Sequence, residues 1–484
     1  MKSDSHDSIS HRVRERTLNE VIDSMSVGRF HYMMLMVCGL AFTADAMEVS
    51  LLSFISTCAG HDWDLNDSQM ASITSIVFAG ELMGSMFWGP LADKYGRRLV
   101  LLLSCSIISI VGFCSGLSPN YVSLLLFRGV VGFGVGGLFV PFDILAEFMP
   151  VTQRGKFSLY ISYFWTLGSL FVASVAWGLL STRGWRVLAF ITAVPVTLSS
   201  ILSITLLPES PRWLVVQGRI KEAEEVLKWA AKINGTELGK FTLSDDVERE
   251  EIASVKELLK PQHIGVSIPL WVAWFSFGCC YYGVILFVTK VFEDNGGDDD
   301  DISCSFDYAA IFYSAASEVV GVFITIQVID WWGRIPTQAL SFCLAGIGIF
   351  CMGISMPFAP LVVVSVFARM TAVAANSAVW VSTPELFSTE LRATGHSVAN
   401  CMARIGAFLS PYVAESTSIS HFVIGVIFAI INFIGMIAVY FLPETKGKDL
   451  DTAVEPRLRV SSVSFVTRHS VDYDVHGDTK NPMY

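Results

Sequence analysis

About a dozen stretches of this chain stay apolar for some twenty residues each, and no other feature limits its fold so severely. A helix needs about 20 mostly apolar residues to cross the hydrocarbon core of a bilayer. In lipid every backbone polar group must be satisfied within the chain, which favours helices. The stretches run approximately over 32–58, 70–91, 99–118, 121–147, 157–181 and 187–207, then over 266–290, 308–329, 337–357, 360–382, 396–417 and 421–442. Composition agrees: only 16% of the residues are charged, where soluble proteins carry about a quarter. Mean hydropathy is +0.54. The expected fold is an all-α membrane protein with twelve transmembrane helices.

Several classes of function are excluded at this level. The net charge of -11 and the lack of a basic tract argue against nucleic acid as a partner. The first thirty or so residues are polar and include Arg12, Arg14, Arg16 and Arg29, so the first span is expected to insert uncleaved. No phosphate loop of the form GxxxxGK[ST] occurs, which argues against direct drive by ATP. No catalytic constellation and no metal-ligand spacing is visible, so neither enzyme activity nor a cofactor is expected. Most of the ten cysteines fall inside apolar spans and read as small buried residues. Cys58 and Cys304 fall near span ends on one side, where a disulfide between them is chemically allowed.

Orientation follows from Lys and Arg in the short loops. Lys94, Arg97, Arg98, Arg154, Lys156, Arg334 and Arg392 fall on one side, with the basic central insert. The opposite loops, "HDWDLND" and "EDNGGDDDDISCSFD", are acidic; Arg183 and Arg186 are exceptions. Both termini and the insert are therefore expected in the cytosol. Within the insert, "GRIKEAEEVLKWAAKINGT" has apolar residues at helical spacing and reads as a short amphipathic helix.

The chain also repeats. "GPLADKYGRR" returns as "IQVIDWWGRI", with Asp93 and Asp330, and Arg97 and Arg334, each 237 positions apart. "AEFMPVTQRG" returns as "PELFSTELRA", with Glu147 and Glu385, and Arg154 and Arg392, each 238 apart. "LPESPRW" returns as "LPETKGK", placing Glu209 and Glu444 235 apart. The organisation expected is a cytosolic segment (1–31), a six-helix bundle (32–207), a cytosolic loop with short helices (208–265), a second six-helix bundle (266–442) and a disordered cytosolic tail (443–484). Parallel halves of this kind hold a binding cavity at their interface near mid-membrane.

These motifs, with "LLLFRGVVGFGVGG" and "PELFSTELRATG", resemble the signature set of the major facilitator superfamily, near its sugar and organic-ion porters. "VGRFHYMMLMVCGLAFTADAMEVSLLSFI", "AWFSFGCCYYGVILFV" and "VANCMARIGAFLSPYVA" are similar to the synaptic vesicle two-related and niacin-type organic-ion branch. The resemblance implies the major facilitator fold, alternating access and a small organic solute. It also implies that the loop charges join acids at neighbouring helix ends; because the repeat places the same charge types twice, Asp93, Arg97, Glu147, Arg154 and Glu209, with Asp330, Arg334, Glu385, Arg392 and Glu444, read as cytosolic latches that hold the halves together when the protein opens outward. A plainer reading makes these charges topology signals. The second loop motif departs from the pattern: "DWWGRIP" lacks the second arginine.

Ions inside spans are expensive and mark function or pairing. Asp45 and Glu48 lie three apart and share a helix face, suited to a proton relay, to cation recognition, or to a structural pair neutralised by Arg128 or another cation. Glu81, Asp143, Glu318, Arg369 and Arg404 are further intramembrane charges, divided between cargo contact and structural ion pairs. Arg369 or Arg404 suits a carboxylate cargo; Asp45 and Glu48 suit an amine. Trp165, Tyr281, Tyr282 and Trp380 are candidate cavity aromatics, and Asn376 a polar contact or helix–helix bond. The function expected is a monomeric secondary transporter in the lipid bilayer of the plasma membrane or an internal vesicle. It moves a small organic ion, a carboxylate such as nicotinate or an organic cation, coupled to protons. A passive uniporter, or a transporter-like receptor or vesicle component without transport, is the alternative.

Overall fold

The computed structural model describes residues 14–239, 241–244, 254–294, 304–387 and 389–446. Most of the C-terminal tail expected from sequence, and the side chain of Arg154, lie outside the described residues.

Helices dominate, for the reason the apolar stretches give. A short helix α1 (Leu18–Ser24) precedes α2 (Arg29–Asp62), α3 (Asp67–Tyr95), α4 (Arg97–Gly116), α5 (Tyr121–Val135), α6 (Val140–Phe148) and α7 (Val151–Leu206). α5 and α6 form one bent span, broken where four turn residues precede Pro141. α7 is two spans joined at Gly184, whose φ of 73° is a left-handed conformation natural to glycine. After the small helices α8 (Pro211–Val216), α9 (Ile220–Asn234) and α10 (Val255–Leu258) come α11 (Ile264–Val291), α12 (Tyr308–Trp332), α13 (Arg334–Met352), α14 (Phe358–Ser382), α15 (Thr389–Ala414) and α16 (His421–Tyr440). Counting α5 with α6 as one span and α7 as two, twelve helices cross the membrane, six in each half, as the sequence predicts.

α15 is the one long helix of the second half that falls short of the apolar profile of a membrane span. That polarity fits its place, because it packs along α3 of the first half rather than facing lipid alone. α2 and α11 are the most enclosed spans, with 83% and 89% of their apolar windows buried. They therefore line the inside of the molecule.

Small residues bring α3 and α5 together. A methyl group on Gly136 would stand 2.6 Å from the carbonyl oxygen of Glu81 and 2.7 Å from the amide of Ser85. Such contacts let helix backbones touch, as in other membrane bundles, and here they set the height of Glu81.

The insert is tied to the first half. Strand β1 (Arg14–Arg16) pairs in parallel with β2 (Phe241–Leu243). α9 buries Ala223, Leu227, Ala230 and Ala231 on one face, matching its amphipathic sequence. Asn234 at its end accepts from the Phe30 amide at 2.8 Å and donates to the Ser26 carbonyl at 3.0 Å, fastening the start of α2. At the far end of the molecule, β3 (Glu293–Asp294) and β4 (Ser305–Phe306) form a two-residue hairpin ladder.

Candidate functional site in the central layer

Near mid-helix, Arg404 of α15 reaches out of the second half between two acids of the first. Its Nη1 lies 2.5 Å from Glu81 Oε2 on α3, off the alignment that a hydrogen bond needs. Its Nη2 lies 3.4 Å from Asp45 Oδ2 on α2. Nη1 also donates to the Tyr282 hydroxyl at 2.8 Å. Asp45 is 3% exposed and Glu81 fully buried, so these charges answer to each other rather than to water. Asp45 Oδ1 and Glu81 Oε1 have no hydrogen-bond partner among the described residues.

Two further ion pairs flank this triad, each inside one half. Arg128 donates to both oxygens of Glu48, at 2.8 and 2.9 Å. Arg369 Nε donates to Glu318 at 2.8 Å, and the Tyr281 hydroxyl donates to the same oxygen at 3.1 Å. Asp45 and Glu48, expected on one face, therefore divide: Asp45 meets the second half, whereas Glu48 turns into its own bundle. A cavity of about 20 Å³ lies beside Glu48 and Arg128, walled by α4 and α7 as well, which is room for roughly one water.

Aromatic rings wall the triad. Phe78 lies 4.9 Å from Tyr282, and Trp165 lies 6.0 Å from Tyr281 and 6.4 Å from Tyr282, measured between ring centres. The Trp165 indole N–H has no partner among the described residues. Trp380 sits elsewhere, nearer the end that carries the insert. There it stacks on Phe142 of the first half at 5.9 Å and packs against Trp274 and His396. Asn376 lies on α14 with its side-chain oxygen unpartnered, and no described bond brings it to the triad.

The repeated charge motifs form two matching clusters at the insert end. Gly96 and Gly333 adopt φ of 107° and 114°, which L side chains rarely do, and this turns the chain sharply between spans. The next helix then begins against an acid. Glu209 accepts from the Arg97 and Arg98 amides at 2.9 and 3.2 Å, and Glu444 accepts from the Arg334 and Ile335 amides at 3.0 Å each. A carboxylate at a helix N-terminus is stabilised by the unpaired amides and the helix dipole. Burial raises the Glu444 carboxyl, but the amides of Lys446, Arg334, Ile335 and Thr445 outweigh it and hold the group below the usual range.

Arg97 pairs with Asp93 at 3.2 Å and Glu147 at 3.4 Å; Arg334 pairs with Asp330 at 3.0 Å and Glu385 at 2.9 Å. Arg392 donates to the Pro384 carbonyl at 2.9 Å. Each of these contacts fastens helix ends within one half. These contacts do not themselves form the latch between halves expected from the sequence; at the opposite end a seal joins the halves directly.

Apart from the Cys58–Cys304 disulfide, that seal was not foreseen. Glu415, just past α15, accepts from Ser56 of α2 and Thr74 of α3, both at 2.9 Å. Asp67 of α3 accepts the amides of Thr417 and Ser418 at 2.7 and 2.9 Å. Thr289 donates to Ser53 at 3.1 Å. Cys58 and Cys304 form a disulfide that joins the halves. The signal for Glu415 was present as a carboxylate closing the stretch "GAFLSPYVAES", but its partners lie 341 and 359 residues away.

Comparison with known proteins gives a consistent result. The family profile described as "Sugar (and other) transporter" matches residues 32–455. The synaptic vesicle 2-related protein of Xenopus laevis is 33% identical over 454 residues, covering 90% of this chain and 82% of its own length. Organic cation/carnitine transporter 7 of Arabidopsis thaliana is 31% identical over 93% of this chain and 98% of its own. The niacin transporter NiaP of Acinetobacter baylyi is 27% identical over 89% and 98% respectively. Among solved structures, the inward-open xylose transporter XylE of E. coli superimposes with a TM-score of 0.69 at 17% identity, over 87% of this chain and 99% of that one.

Proposed function

This chain belongs to the sugar (and other) transporter family of the major facilitator superfamily, and from that premise we propose that it carries a small organic ion across a membrane by alternating access, coupled to protons. Two of its relatives are named as transporters, of organic cations or carnitine and of niacin. The observation that carries the reading is Arg404 of one half held between Asp45 and Glu81 of the other. A buried charge bridging the two moving parts is sensitive both to their separation and to any ion that enters between them. A two-state equilibrium shifts by as much as a ligand's preference for one state, and an ion pair at the interface supplies that preference.

An organic ion fits better than a sugar. The central layer is lined by paired charges and aromatic rings, whereas a neutral polyol calls for uncharged hydrogen-bonding groups. Relatives named for organic cations and for niacin support an ionic cargo without choosing its sign. We assign the insert end to the cytosol, on the Lys and Arg bias of its loops. The disulfide at the opposite end supports this, since disulfides persist in oxidising compartments. The relatives named after synaptic vesicles favour a vesicle membrane, and also leave a non-transporting vesicle component as the second reading. Both halves of the pathway come from one chain, so a monomer suffices.

Uptake into proteoliposomes under an imposed pH gradient, screened over organic acids and amines, tests the proposal. Accumulation of a solute above equilibrium, lost in Asp45→Asn, is the expected result. If no solute moves under any gradient, the transport reading falls. If uptake only equilibrates, the protein is a passive uniporter.

A further inference from the structure

The central layer holds seven ionic side chains among the described residues, and they do not balance. Glu48 with Arg128, and Glu318 with Arg369, close their charges within each half. Asp45 and Glu81 share the single cation of Arg404. With both acids ionised, one negative charge is left in surplus at the interface. Resting on the transport reading above, we propose that this triad accepts one unit of positive charge from outside the chain, carried either by a proton or by an organic cation bearing N–H groups, and that the two compete for it.

Three observations support this assignment. The surplus is negative, and an uncompensated buried charge is costly enough to recruit a counter-ion or a proton. The unsatisfied atoms of the acids, Asp45 Oδ1 and Glu81 Oε1, are acceptors, which call for a donor rather than for another anion. Tyr282, whose hydroxyl accepts from Arg404, packs against the rings of Phe78 and Trp165, and aromatic faces attract cations and stack on flat groups. Arg404 is itself a guanidinium held by the two carboxylates, so the triad displays on its own helix the chemistry it would receive from a cargo.

Competition follows from the count. One positive unit neutralises the cluster; a second would leave a net positive charge in a poorly solvated layer. When the cation arrives, its N–H groups donate to the carboxylates, and the carboxyl proton leaves to water. No covalent bond other than O–H breaks, and no electron changes hands. Cargo entry on one side therefore requires proton departure, and the coupling is exchange. An anionic cargo would behave in the opposite way. It would have to take Arg404 from both acids and would enlarge the negative surplus, so it would need to bring protons with it.

The test uses proteoliposomes loaded acid inside, with a pH-sensitive dye in the lumen and protein-free vesicles as background. Benzylguanidinium, which stays charged and carries both a ring and N–H donors, is the probe cation; benzoate is the probe anion. Externally added benzylguanidinium is expected to drive saturable proton efflux and its own uptake. Both should be lost in Asp45→Asn and Glu81→Gln variants that keep the parent's gel-filtration profile. Benzoate is expected to drive no efflux. Protons entering together with benzoate, while benzylguanidinium is inert, would overturn exchange and leave proton-coupled transport standing. Benzylguanidinium uptake that persists unchanged in both variants would overturn the assignment of the triad. If neither probe moves and the wider screen also finds no solute, the transport reading fails and takes this inference with it.

Discussion

Arg404 and Glu81 sit on helices of opposite halves, 2.5 Å apart, where the two bundles meet. Glu81 is the counterpart of Glu318 in the repeat, 237 positions away. Glu318 keeps its arginine at home, on α14 of the same half. Two copies of one motif have thus taken different work: one closes a bundle, the other reaches across the interface.

Loss of Arg404 strands both acids. Arg404→Ala is expected to destabilise the protein by about 3–5 kcal/mol, the usual penalty for a buried charge left unpaired. Arg404→Lys keeps the charge but not the planar fork, and should recover only part of the loss. Thermal unfolding in detergent measures both. An alanine variant as stable as the parent would mean that water already serves these acids.

The Glu318–Arg369 pair should behave as a structural tie. Arg369→Met alone is expected to cost about 3–5 kcal/mol, and adding Glu318→Leu should restore most of it, since replacing a whole buried pair by apolar groups is often neutral. Transport should survive in the double variant. Its loss in a well-folded double variant would put this pair in the cargo path.

Gly136 tests the packing that positions Glu81. Gly136→Ala drives a methyl group towards the Glu81 carbonyl, 2.6 Å away. Overpacking of this kind costs typically about 1–3 kcal/mol. The displaced α3 should also weaken cation-driven proton efflux in the vesicles described above. Unchanged stability and unchanged efflux would show that α3 and α5 part without cost.

Glu415 should govern the seal at the disulfide end. Its two hydroxyl partners come from the other half, and buried hydrogen bonds of this kind contribute about 0.5–1.5 kcal/mol each. Glu415→Ala is therefore expected to raise the labelling rate of Ser53→Cys by a membrane-impermeant maleimide about tenfold or more. An unaltered rate would shift the seal to Asp67 and the disulfide.

The Glu444 anchor should depend on pH in one direction only. Its carboxyl is held below the usual range, so its contribution is complete above the unfolded value near ~4.3 and fades as pH falls through the lower folded value. Parent and Glu444→Gln should differ in unfolding temperature at neutral pH and converge in strong acid. A difference that grows with acidity would reverse the assignment.

What the chain determined by itself is whatever depends on near neighbours in sequence. Runs of apolar residues near twenty long specify spans wherever they occur, so the helix count was legible. The recurring offsets near 237 revealed two halves, and Gly96 and Gly333 stood where each turn needs a left-handed residue. The intramembrane charges were equally visible, because an ion in lipid stands out against any apolar background. Only the tertiary structure decided who pairs with whom. Nothing local distinguishes Asp45, which meets Arg404 at a separation of 359 residues, from Glu48, which meets Arg128 at 80. A helix face spans enough of a turn for residues three apart to point at different neighbours, and close helix packing, set by glycines and aromatic rings along whole spans, chooses between them.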